Sequence, residues 1–89
     1  MGREVVLFKS EEKKSSLEIA SILRQIADKI EEGSMTMGQN DNRISLDFPR
    51  NMTMEIKVEQ EEKARTMRSL EIELEWIIEE EEQGGLVID

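Results

Sequence analysis

The 89-residue chain has no cysteine and no histidine. Without cysteine there is no disulfide, no thiolate metal site and no thiol nucleophile. Without histidine there is no imidazole ligand, no serine–histidine dyad and no imidazole acid–base chemistry. A metal site could draw only on carboxylates and carbonyls, which suit hard cations such as magnesium or calcium. Tyrosine is absent, and tryptophan and proline occur once each. No apolar run approaches the roughly 18 residues that mark a membrane helix. Glycine-rich phosphate loops, nucleophile elbows and dinucleotide fingerprints are missing as well. Basic charge is scarce: 12 Lys plus Arg stand against 21 Asp plus Glu, a net charge of −9. Such a surface repels phosphate backbones and disfavours nucleic acid, while it attracts a basic partner. The start, "MGREVVLFKSEEKKSS", shows no signal-peptide pattern, and position 6 lacks the Ser or Thr of a myristoylation site. A cytoplasmic protein is expected.

What is present is a clear change of period along the chain. "EVVLF", residues 4–8, is β-branched and aromatic, and reads as a first strand. Ser10 reads as an N-cap, with Glu11 and Glu12 in the first turn where the helix dipole favours negative charge. The helix is expected to run to Glu32 and to stop at Gly33. Ile19, Leu23, Ile26 and Ile30 follow helical spacing and form its core stripe, with Ala20 and Ala27 beside it. Leu17 falls off that stripe.

After Gly33 the period becomes two. "SMTMG" and "RISLDF" flank the turn signal "QNDN", residues 39–42, and read as a hairpin. "PRN", residues 49–51, is the next turn. "MTMEIKV" follows, then a turn over "EQEEKAR" and a last strand "SLEIELEWI" beginning near Thr66 or Arg68. Short connections imply an antiparallel meander. The expected fold is therefore an α+β two-layer sandwich: one long helix on an antiparallel sheet of four to five strands, in the order β-α-β-β-β-β. Residues 3–78 form the single domain. Residues 79–89, "EEEEQGGLVID", form an acidic tail with paired glycines, expected to fray or to be disordered.

In the last hairpin a natural register sets Lys57 across from Glu71, Glu55 from Glu73 and Gln60 from Arg68. It also opposes Met52, Met54, Ile56 and Val58 to Trp76, Leu74, Ile72 and Leu70. Leu70, Ile72, Leu74 and Trp76 are then expected in the core, facing the helix. Glu55, Lys57, Glu71, Glu73 and Glu75 share the other face, with Glu59 beside them, and Arg43 is expected on the same sheet face. Successive glutamates on one strand stand about 6.8 Å apart. Two readings compete for this acidic face. It could supply a carboxylate pair for glycoside hydrolysis or a divalent-cation site. More plainly, it is a solvated face with cross-strand charge pairs, each contributing roughly 0.2–1 kcal/mol. The Glu55–Glu73 pair is unfavourable in either case, and a cation or a basic partner would relieve it. Trp76 could anchor a partner, but its strand parity points it to the core. Met35, Met37, Met52 and Met54 keep strand parity too and read as core fillers. Met67 falls on the polar parity.

"EVVLFKSEEKKS", then "LEIASILRQIADKIEEG", then short amphipathic strands and a closing "SLEIELEW" together resemble the amphi-Trp domain family. These are small prokaryotic domains, frequent in archaea, named for an amphipathic pattern and a tryptophan. The resemblance spans roughly residues 3–78 and matches Trp76 to the family tryptophan. It implies a domain of unestablished function, with no catalytic residue, metal ligand or cofactor to carry over. Met35, Met37 and the acidic tail look like this chain's own variation.

The reading is thus a non-enzymatic protein-interaction or structural module without a cofactor. An unknown protein partner is expected, basic if it meets the glutamates, or a homodimer through a strand edge. Neither nucleic acid nor membrane is expected as a partner. The alternative is a carboxylate-based divalent-cation binder, or a cation-dependent hydrolase, using Glu55, Glu71, Glu73 and Glu75.

Overall fold

A computed structural model describes residues 2–78. The acidic tail at 79–89 lies outside the described residues. The fold is α+β: one helix followed by four strands, paired antiparallel as two hairpins. The chain divides into two units, residues 1–48 and 49–89.

The first unit holds the helix α1 (Ser16–Glu32) and the strands β1 (Ser34–Gln39) and β2 (Asn42–Asp47). The helix begins later than its apolar pattern suggests, and Ser15 rather than Ser10 is its N-cap. Ser15 accepts a hydrogen bond from the Glu18 backbone N–H at 3.1 Å, and Glu18 Oε1 accepts one from the Ser15 N–H at 2.9 Å. This reciprocal pair is a capping box. Ser10 could not build one, because the residue three places on is Lys13, which has no acceptor. The 17 residues of α1 span about 25 Å at 1.5 Å per residue. Gly33 ends the helix as expected, with φ 103° and its N–H bonded to the carbonyls of Lys29 and Ile30. That left-handed conformation strains any residue with a Cβ.

Beyond the cap, β1 and β2 pair with Met35 opposite Leu46 and Met37 opposite Ile44. Asn40 turns the hairpin at φ 53°, a conformation Asn tolerates. Gly38 permits close approach: a Cβ there would stand 2.6 Å from the Asn42 carbonyl oxygen and from Arg43 Cγ. The Phe48 N–H donates to the Gly33 carbonyl at 2.8 Å and ties the end of this hairpin to the end of the helix. The helix packs on β1. Ala20, Ile26, Ile30, Met35, Met37, Ile44, Leu46 and Phe48 are all half-buried.

"EVVLF" forms no strand. Val5, Val6 and Leu7 are exposed, and neither ladder includes them. Strand propensity is realised only with a partner strand, and the short turns pair β1 with β2 and β3 with β4 instead. The element order is accordingly α-β-β-β-β.

The second unit holds β3 (Thr53–Glu62) and β4 (Thr66–Glu75), joined by the short connection 63–65. β3 runs further toward the turn than its apolar alternation shows, while β4 begins at Thr66 as expected. Gln60 and Arg68 hold that extension: Arg68 Nε and Nη2 donate to Gln60 Oε1 at 3.0 and 2.6 Å. The two ladders are separate two-stranded sheets, not one meander. The boundary between the units falls before Pro49, whose ring fixes φ and removes a ladder donor.

A closed core is a further expectation to be revised. No side chain among the described residues is fully buried. Ile26 and Ile30, and likewise Leu74 and Trp76, are half-buried. Ile19, Leu23, Leu70 and Ile72 are exposed. The reason is local in the second unit. Its described residues make a single hairpin with no second layer, so none of them lies across the apolar face.

Candidate functional site

The β3–β4 ladder has the register its sequence pattern implies. Glu55 stands opposite Glu73, Lys57 opposite Glu71 and Gln60 opposite Arg68. Met54, Ile56 and Val58 oppose Leu74, Ile72 and Leu70. Because side chains alternate along a strand, this pairing separates the hairpin into two unlike faces.

One face carries Glu55, Lys57, Glu59, Glu61, Glu71, Glu73 and Glu75, with Thr53, Ser69 and Met67. Six carboxylates stand there around Lys57, and Lys63 of the connection pairs with Glu61 at 3.5 Å. Lys57 Nζ lies 3.7 Å from Glu71 and 3.8 Å from Glu59. These long, solvated pairs add little stability. They do hold the Lys57 ammonium above its ordinary pKa, Glu59 first and Glu71 next. Nothing on this face answers Glu73 in the same way. A hydrogen bond with Glu55 and the charges of its carboxylate neighbours, Glu75 foremost, push its carboxyl above the usual range. All five residues expected on this face (Glu55, Lys57, Glu71, Glu73 and Glu75) are therefore brought together. Arg43 is not: it pairs with Gly38 in the other hairpin.

The opposite face is apolar. Met54, Ile56, Val58, Leu70 and Ile72 lie between 49 and 65% exposed. Together they present on the order of 500 Å² of apolar surface, within the range typical of functional patches. The ends of the hairpin are shallow. A hollow of about 400 Å³ at the turn is lined by Glu59, Gln60, Glu61, Met67, Arg68 and Ser69. Another of about 510 Å³ beside Trp76 is lined by Pro49, Asn51, Met52, Thr53, Glu75 and Ile77. Among the described residues no three acidic side chains group to hold a metal ion.

Composition and spacing found the acidic face but missed features of the first unit. The Ser15–Glu18 box could have been found from its S-x-x-E spacing. The Thr36–Ser45 hydroxyl pair, 2.9 Å apart across β1–β2, follows from the register once the turn is placed. The bond from Gln39 Nε2 to Glu12 Oε2 at 3.2 Å has no sequence signal.

The family model for the amphi-Trp domain matches residues 1–89. No curated protein and no solved structure matches the chain. The chain belongs to the amphi-Trp domain family.

Proposed function

We propose that this amphi-Trp domain is a non-enzymatic protein-interaction module that docks through its β3–β4 hairpin. One observation carries the reading: Met54, Ile56, Val58, Leu70 and Ile72 form a continuous apolar face exposed to solvent. A two-stranded hairpin is marginal in water by itself and gains stability when a third strand or another layer covers it. The largest apolar patch on a monomer is about this size and is often functional. The composition agrees, because a chain without cysteine or histidine lacks a thiol nucleophile and the commonest general base.

The test is capture of a protein partner by the tagged chain, repeated with the double variant Ile56→Lys, Ile72→Lys. A specific protein should be retained by the original chain and lost with the variant. Reproducible capture of nothing, or equal capture by both chains, would overturn the reading.

The divalent-cation reading uses the opposite face of the same hairpin and rests on the Glu55–Glu73 opposition. Magnesium or calcium titration separates the two. A cation binder shows saturable shifts confined to Glu55, Glu71, Glu73 and Glu75, whereas an interaction module shows only diffuse screening.

A further inference from the structure

The two faces of the hairpin, taken with its open edge, define what kind of segment could complete the sheet. This step rests on the interaction reading above and gives the partner a chemistry. Among the described residues the sheet contains β3 and β4, so β4 has a described partner strand on one side only. Every second residue of β4 turns its N–H and C=O away from β3, as the edge of any antiparallel pair does. An extended segment can hydrogen-bond to those groups and become a third strand.

Side chains of such a strand fall on the same two faces as those of β4. On one side they stand beside Leu70, Ile72 and Leu74. On the other they stand beside Glu71, Glu73 and Glu75. On β3, Lys57 sits between Glu55 and Glu59; it pairs with Glu59 at 3.8 Å and reaches across the ladder to Glu71 at 3.7 Å, so it answers one carboxylate on each strand and leaves Glu73 and Glu75 of β4 to a partner. Along β4 three carboxylates follow one another with no cation of their own strand between them. Their spacing is about 6.8 Å from i to i+2, which is also the spacing of alternate residues in any added strand. Lysine or arginine at every second position would therefore meet all three in register.

We infer that the β4 edge, residues 69–75, takes an extended peptide segment that alternates apolar and basic residues, by addition of a strand beside Leu70–Glu75. A second copy of this chain fits the edge less well in the register centred on Glu73, where antiparallel pairing of β4 with its own copy sets Glu71, Glu73 and Glu75 against the same three carboxylates.

The experiment adds a nine-residue, end-blocked peptide of alternating valine and lysine to the isotope-labelled chain and follows its amide signals. Saturable shifts should concentrate on residues 69–75, with slowed exchange of alternate β4 amides. Binding should weaken as salt rises. Three further probes leave the protein untouched. A peptide of alternating valine and glutamate should bind at least about tenfold more weakly. So should a peptide with the same valine and lysine content arranged in two blocks. A polylysine of equal length should bind without slowing the β4 amides. The charge-reversed chain, Glu71→Lys with Glu73→Lys, should reverse the preference and select the valine–glutamate peptide.

Equal binding of the alternating and blocked peptides would overturn the inference. Shifts confined to the β3 edge would do the same, and so would a chain that sediments as a dimer the peptide cannot disrupt. Should every peptide fail while capture of a protein still depends on Ile56 and Ile72, the interaction reading stands. Only the edge and its charge preference then fall.

Discussion

Glu55 and Glu73 face each other across the ladder, and Glu73 is held above the usual carboxylate range by that neighbour and by Glu75. Glu18 is shifted the other way, lowered by the hydrogen bonds it exchanges with Ser15. The two shifts give opposite pH dependences. A carboxyl whose folded pKa is raised adds stability below its unfolded pKa, and that stability is lost as pH rises through the folded value. A carboxyl whose folded pKa is lowered adds stability above its unfolded pKa, and loses it as pH falls through the folded value. Acidification through the carboxylate range should therefore tighten the hairpin around Glu73 and loosen the start of α1. Residue-resolved amide exchange against pH checks both signs in one experiment. Glu55→Ala should bring the Glu73 carboxyl back toward its ordinary value, read by its side-chain carbon shift. Trp76 also belongs to this scale. A fully buried aromatic costs about 3–5 kcal/mol when cut to alanine. Half-buried Trp76 should cost on the order of 2 kcal/mol, measured by urea unfolding.

The helix and the hairpins show how far a sequence pattern reaches. Helix capping rests on one serine and one glutamate, so Ser15→Ala should lower stability by about 1 kcal/mol. Ser10→Ala should change it by a few tenths at most, and thermal unfolding followed by circular dichroism distinguishes them. Gly33→Ala should cost about 1 kcal/mol, because no Cβ is comfortable at φ 103°. The register of β3–β4 was legible over Thr53–Glu75, for a physical reason, although Met52 and Trp76 lie just outside the ladder. A period of two admits only one alignment of Met54–Ile56–Val58 with Leu70–Ile72–Leu74 that the short connection can close. The five face residues Glu55, Lys57, Glu71, Glu73 and Glu75 follow from that register. The first strand was not legible. "EVVLF" has strand composition, but composition does not say which edge, if any, will accept it. The far end of β3 was hidden because Glu59–Glu62 are polar on both parities and carry no alternation, whereas β4 begins at Thr66 as expected.

For the whole chain, apolar periodicity tells which residues seek cover and leaves open what covers them. Ile19 and Leu23 on α1, and Leu70 and Ile72 on β4, have core spacing yet stand exposed. An acidic chain of net charge −9 can keep such surface in solution through mutual repulsion. If the proposed partner is basic, raising ionic strength should weaken its capture. The central claim is that the β3–β4 hairpin is a docking surface completed by another protein. Hydrogen exchange of the amides at 53–75, in the free chain and in the chain with its captured partner, tests it most directly. The account predicts weak protection in the free hairpin and strong slowing on capture, greatest along β4. Strong protection of those amides in the free chain, unchanged by the partner, would contradict it.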